Sequence, residues 1–257
     1  MDYFKKYEEN PAEDLKWNLP ERKQGAVAVI GGNKQSFIAV SKVAEWLSNY
    51  SVEIINVVLP DALKGKVPSM TGFSFLKSTD TGSFAEAEEL LRAFEMVDYN
   101  LLIGDLSKNA VTGRAIGEVC LKTTRPVLVT RDAVDLLLEN SPERVLMNQQ
   151  IVLMASLAQL QKLLRAMYYP KMLTLSQSLV QVAETLHKFT LSYPVKIVTF
   201  HGGQILIAES GKVVAVPLEK TGFSPVTLWS GELAVKIMIY NLFNPNNFMD
   251  ATTSAMF

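Results

Sequence analysis

From Ala26 onward, apolar runs of strand length alternate with segments whose apolar residues recur at helical spacing, and few folds can accommodate that alternation. Ala26-Val27-Ala28-Val29-Ile30 is continuously apolar and ends in Gly31-Gly32, the pattern of a strand buried on two faces. Val40, Val43, Ala44 and Leu47 follow at i, i+3, i+4, i+7, so one face of a helix is apolar. Ile54 to Leu59 gives a second strand, closed by Pro60. Ala87, Leu90, Leu91 and Phe94 mark a helix, and Leu101-Leu102-Ile103 with Gly104 marks a strand. A helix over Thr112 to Lys122 presents Ile116, Val119 and Cys120. Pro126 opens the strand Val127-Leu128-Val129, and a short helix runs from Asp132 to Leu138. The expectation is an α/β fold with a parallel sheet, helices on both faces and right-handed crossovers.

The second half changes character. Leu153, Leu157, Leu160 and Leu164 read as one helical stripe, and Leu175, Leu179, Val182 and Leu186 as another. Three apolar runs follow, Val195 to Phe200, Ile205 to Ala208 and Val213 to Leu218. His201-Gly202-Gly203-Gln204 and Glu209-Ser210-Gly211-Lys212 separate them with turn chemistry, which predicts an antiparallel meander at a sheet edge. A last helix runs from Gly231 to Phe243. Residues 1–24, polar and carrying Pro11 and Pro20, read as an N-terminal arm, and 25–257 as a single domain without a dividing linker.

Composition narrows the function classes. The 25 Lys plus Arg against 26 Asp plus Glu leave a net charge of −1, which removes the bulk attraction to nucleic acid or anionic membrane. One cysteine excludes a disulfide framework and fits a reducing, cytoplasmic setting. Two histidines, His187 and His201, exclude a three-histidine metal centre, and the reading assigns no metal ligands. The charged N-terminus has no apolar stretch behind it, and no apolar run reaches the roughly 18 residues that span a bilayer.

Four strand-to-helix junctions or turns carry the candidate chemistry, since ligands of open α/β sheets bind beyond the carboxyl ends of strands. Gly31-Gly32-Asn33 reads either as a tight turn or as backbone that approaches a phosphate or ribose. It is neither a Gly-x-Gly-x-x-Gly signature nor a Walker motif. In Gly104-Asp105-Leu106-Ser107-Lys108-Asn109, a polar side chain caps the next helix, or Asp105 touches a ligand hydroxyl. His201-Gly202-Gly203 is a plain turn or a surface for an adenine or phosphate. Ser230-Gly231-Glu232 is a capped helix start, or a set of amides for an anion with a carboxylate beside it.

The order of these segments, over about residues 20 to 243, resembles the ADP- or ATP-dependent NAD(P)H-hydrate dehydratases of the ribokinase-like superfamily. Gly25 to Asn33 with Ala39 matches the family's opening strand and Gly-Gly-Ser turn. Ile103-Gly104 begins its Ile-Gly-Pro-Gly-Leu-Gly, Thr112 matches a threonine in the helix behind that motif, and Val127 to Leu137 resembles its Val-Leu-Asp-Ala-Asp-Ala-Leu segment with Asp132 at the second aspartate. His201-Gly202-Gly203 falls at the turn that contacts the adenine nucleotide. Thr221-Gly222 and Ser230-Gly231-Glu232 stand where the family has Thr-Gly-Asn-Pro and Gly-Gly-Ser-Gly-Asp.

The resemblance implies a lyase that restores hydrated NADH or NADPH with ADP or ATP, accompanied by Mg²⁺, in a homo-oligomer. It assigns catalysis to Glu232, the anion hole to Ser230 and Gly231, the nucleotide turn to His201, Gly202 and Gly203, and the substrate side to Ala39, Asp105, Asp132 and Gln149. The sequence departs from the pattern at the site itself. Leu228-Trp229 replaces Gly-Gly, Glu232 replaces aspartate, His201 replaces lysine, and Asp105-Leu106-Ser107-Lys108 replaces Pro-Gly-Leu-Gly. Met147 to Val152 takes the place of Thr-Pro-His-Pro-Gly-Glu, with Gln149 at the histidine. The expected protein is a dehydratase of reduced or altered activity, with a non-catalytic binder and a small-molecule kinase as alternatives.

Overall fold

A computed structural model describes residues 2–67, 72–138 and 142–257. In chain order the elements are β1 (Phe4–Lys6), a 3₁₀ segment (Glu13–Asn18), β2 (Ala26–Gly31), α1 (Ile38–Leu47), β3 (Ile54–Pro60), β4 (Phe73–Leu76), α2 (Ala87–Glu95), β5 (Tyr99–Gly104), α3 (Ala110–Lys122) and β6 (Val127–Thr130). There follow α4 (Asp132–Leu138), α5 (Pro142–Val145), β7 (Ile151–Met154), α6 (Leu157–Ala166), α7 (Leu179–Ser192), β8 (Lys196–His201), β9 (Gln204–Glu209), β10 (Lys212–Pro217), α8 (Glu232–Phe243) and α9 (Phe248–Ser254).

The strands form one sheet in the order β1-β10-β9-β8-β7-β6-β5-β2-β3-β4. From β4 to β8 every pairing is parallel. β9 runs against β8 and β10, which makes the predicted meander, and β1 then closes that edge in parallel with β10. The chain leaves β2 toward β3 and β4, then returns to β5 on the other side of β2. That reversal opens a crevice beyond the carboxyl ends of β2 and β5.

Each face of the sheet carries its own core. One is built from α2 to α7, with Phe94, Ile116, Leu137, Leu160 and Phe189 packed on alternate strand residues such as Ala28, Leu102 and Leu153. The other is built from α1, α8 and α9 over Val29, Leu101, Ile103 and Val198. α8 is apolar on nearly all sides because it lies between the sheet and its neighbours α1 and α9, so its residues do not show a single stripe.

Two leucines of the predicted stripes lie elsewhere. Leu153 belongs to β7, an apolar run of four that the leucine spacing had absorbed into the following helix. Leu175 precedes α7 and is 83% exposed. β4 and α9 had no counterpart in the sequence reading.

Candidate functional site

β2, β5, β6, β7 and β8 run in the same direction, so their exits line up along one edge. The exits bring together Gly31-Gly32-Asn33, Gly104-Asp105, Arg131-Asp132, Ala155-Ser156 and His201-Gly202-Gly203. The segment from Leu218 to Ser230 starts at the end of β10 on that edge and leads into α8.

At the crevice between β2 and β5 two carboxylates are held by the chain itself. Gly104 has φ 110° and Asp105 φ 56°, which turns successive amides toward one point. Asp132, the first residue of α4, fills that point: the amide of Asp105 donates to its Oδ1 at 3.0 Å and that of Leu106 to its Oδ2 at 2.8 Å. The fit leaves no room for a side chain at Gly104, where a Cβ would collide with Asp132 Oδ1. Burial pushes the Asp132 carboxyl up from its ordinary value, against the pull of these amides.

Asp105 in turn caps the start of α1. The Ala39 amide donates to its Oδ2 at 2.8 Å, and the Ser36 hydroxyl donates at 3.1 Å. Arg131 Nη2 reaches its Oδ1 at 3.4 Å, and Asn33 Nδ2 donates to the Asp105 carbonyl at 2.5 Å. Ala39, Asp105 and Asp132 thus form one network. Arg131 and Asn33 complete it; the sequence offers Asn33 as part of a turn or of backbone approaching a phosphate or ribose, and does not offer Arg131 as a site residue. Arg131 has φ 56°, and its buried Nε has no partner among the described residues. A non-glycine residue at a strand exit gives no sign of such a backbone angle in the sequence.

At the opposite end of the edge the β8–β9 hairpin turns through Gly202 (φ 56°) and Gly203 (φ 76°). No atom lies within 4 Å of where a Cβ would stand at Gly202, Gly203 or Gly222, so this stretch presents open backbone. The His201 ring is 8% exposed, and its Nε2 pairs with the Gln177 carbonyl at 2.7 Å, so the imidazole ties the hairpin to the segment before α7.

The start of α8 is tighter. Gly231 has φ 112° and is buried; a Cβ there would stand 3.0 Å from Val43, 3.3 Å from Ile103 and 3.3 Å from the Trp46 ring. Ser230 Oγ donates to the Thr227 carbonyl at 2.7 Å and accepts the Glu232 amide at 3.4 Å. The indole pressed on this turn is Trp46 of α1, while Trp229 packs half-buried against the same core. Glu232 is half-buried, and its carboxylate makes no hydrogen bond or ion pair with the described residues. Its charge helps hold the Tyr50 hydroxyl above its ordinary value, after burial and Tyr240.

Gln149 is not brought to this edge. Asn148 and Gln150 lie at the amino end of β7, where the Asn148 amide donates to the Cys120 and Thr123 carbonyls and the Gln150 carbonyl accepts the Val127 amide. The residues that leave β7 on the site side are Ala155 and Ser156. Gln149 therefore stands just before β7, at the end of the sheet opposite these exits.

No family model matches the chain, and no curated protein matches it. Solved structures do. A ribokinase-like superfamily protein from Enterococcus faecalis is 15% identical, with 98% of this chain and 85% of that one covered at a TM-score of 0.68. The fold is ribokinase-like. The ADP/ATP-dependent NAD(P)H-hydrate dehydratase from Bacillus subtilis, co-crystallised with ATP/Mg²⁺ and soaked with CoA, is 15% identical over 95% of this chain and 84% of that one, at 0.58. Adenosine kinase from Anopheles gambiae is 12% identical over 98% and 89%, at 0.52. At such identities the likeness concerns the fold and leaves the reaction open. No helix among the described residues is long and apolar enough to cross a membrane, and none of their His, Cys, Asp and Glu side chains gather into a metal-holding group.

Proposed function

We propose that this chain is a diverged relative of the ADP/ATP-dependent NAD(P)H-hydrate dehydratases that keeps a nucleotide-binding end and has reduced or altered lyase activity. The observation that carries the reading is the contrast along one edge. The hairpin at Gly202 and Gly203 is open, while the amides of Asp105, Leu106 and Ala39 are already satisfied by Asp132 and Asp105. A phosphate or ribose approaching β2 and β5 would have to displace half-buried, hydrogen-bonded carboxylates, each such bond worth about 1.5 to 3 kcal/mol.

The residues fit ADP or ATP best at the hairpin. Gly202, Gly203 and Gly222 would lie against the adenosine, and the positive end of α8 would offset the charge of the phosphates, which Mg²⁺ would share when bound. When bound, the nucleotide would supply a phosphoryl group to the substrate hydroxyl, releasing ADP from ATP or AMP from ADP, and the phosphate so formed would leave as a proton is lost from the adjacent atom. Glu232 would move a proton there; its half-buried carboxylate makes no hydrogen bond or ion pair with the described residues.

Packing of Val43, Ile103 and Trp46 on Gly231 favours a second reading, a binder without turnover, because it narrows the place an anion would take. Assay of hydrated NADH with ADP or ATP and Mg²⁺ separates the two. The first expects slow turnover, reduced by at least about tenfold in Glu232→Gln. The second expects a nucleotide-dependent rise in melting temperature and no turnover. If neither turnover nor any nucleotide-dependent melting shift is seen, the nucleotide reading fails.

A further inference from the structure

At the other end of the sheet, away from the nucleotide edge, a cavity of about 470 Å³ lies between β1, the β9–β10 turn and the start of α9. Its volume is in the range of small-molecule sites. Register places its charged residues. Lys5 pairs with Val214 on β10, two residues beyond Lys212, and Lys212 pairs with Glu209 on β9. All three therefore stand on the face that α9 covers. Phe248 and Asp250 supply the opposing wall, and Tyr7 lines the cavity as well.

Of the charges that line this cavity, half-buried Glu209 forms an ion pair with Lys196 at 3.8 Å, while Lys5, Lys212 and Asp250 are in no ion pair among the described residues. Lys196 also lies over the Phe248 ring, 5.3 Å from its centroid. Burial pushes the Glu209 carboxyl up, against the charges of Lys196 and Lys212 and a hydrogen bond from Lys196. Lys5 and Asp250 make no side-chain hydrogen bond or ion pair with the described residues. Acid and base thus face one cavity from different elements without closing on each other, beside two aromatic rings.

We propose that this cavity binds a small zwitterion of the α-amino-acid class. Lys5 and Lys212 hold its carboxylate, Glu209 and Asp250 hold its ammonium, and Tyr7 with Phe248 takes an apolar or aromatic side chain. A simple anion would face Glu209 and Asp250, and a simple cation would face the lysines. A ligand that carries opposite charges on adjacent carbons satisfies both walls.

The site does not depend on the nucleotide reading, and ADP serves as its internal control. The full chain is titrated with each proteinogenic L-amino acid by melting temperature and calorimetry, up to about 10 mM. At least one is expected to raise the melting temperature. Its affinity should fall at least about tenfold in Glu209→Gln and in Lys5→Ala, with the response to ADP unchanged. The amine and the acid obtained by removing either charged group from that amino acid should bind at least about tenfold more weakly. Two results overturn the proposal: no amino acid shifts the melting temperature, or the one that does is insensitive to both substitutions. Because the variants are read by ligand affinity at matched folded fraction, a loss of stability alone does not mimic the expected result.

Discussion

Asp132 accepts two backbone amides and still has its carboxyl pushed up, because taking a carboxylate out of water costs more than those bonds return and Asp105 lies close by. Cys120 shows the same effect without compensation. It is fully buried in α3, and burial pushes its thiol from 9.0 to about 12. Two outcomes follow at this scale. The folded protein is expected to leave Cys120 unmodified by a thiol reagent near neutral pH and to release it only on unfolding. Its share of stability is present below pH 9.0, where the thiol is protonated in both states. Above that the unfolded chain ionises while the folded one does not, so stability is lost as pH climbs toward about 12. Denaturant titrations on the alkaline side should show a smaller decline in Cys120→Ala than in the parent; equal slopes would contradict the burial argument. Tyr99, also raised by burial, contributes to both curves and cancels in the comparison.

At the scale of elements, α6 and α7 begin with matched capping boxes. Ser156 pairs with Gln159, and Ser178 with Gln181, each hydroxyl accepting the amide three residues on while the glutamine returns to the cap amide. Ser178→Ala is expected to cost about 1 kcal/mol in urea unfolding and to leave the response to ADP intact. A cost near zero would mean that the segment held by His201 and Gln177 fixes α7 without its cap.

Ser-x-x-Gln before an apolar stripe is readable in the sequence, yet both stripes were drawn one turn too long. Leu153 and Leu175 fall at helical spacing from true helix positions, and spacing alone cannot tell four residues of β7 from a first helical turn. Gln149, just before that strand, lies at the end of the sheet opposite the strand exits. The same edge was otherwise legible: strand exits ending in glycine or followed by aspartate or glycine put Gly31, Gly104, Asp132 and His201 on one edge of the sheet, the first three at the adjacent strands β2, β5 and β6 and His201 two strands further on, because parallel strands align their exits.

At the scale of the molecule, the short β1 covers the outer edge of β10, with backbone bonds from Tyr7 to the Ala215 carbonyl and from Val213 to the Tyr3 carbonyl. An uncovered β10 would offer a row of unpaired groups for association. Removal of residues 1–7 is expected to lower the melting temperature by several degrees, about 2 to 4 °C for each kcal/mol lost at this size, and to promote aggregation measured by light scattering. An unchanged melting temperature and a monodisperse sample would show that β1 adds little. The polar composition of this segment pointed to a surface arm; its pairing with a strand more than two hundred residues away has no local signature.

By itself the sequence determined the alternation of strands and helices, the two-sided burial of the central strands and the hairpin at Gly202-Gly203. Each follows from apolar period or from turn chemistry within a few residues. Tertiary structure alone decided that Asp132 would fill the amides just after β5, that Asp105 would cap α1 and that Trp46 would press on Gly231. These contacts join residues 26 to 185 positions apart. Whether an open turn or an internal carboxylate meets a ligand depends on what packing brings there, and residue type fixes only what each group is able to do once it arrives.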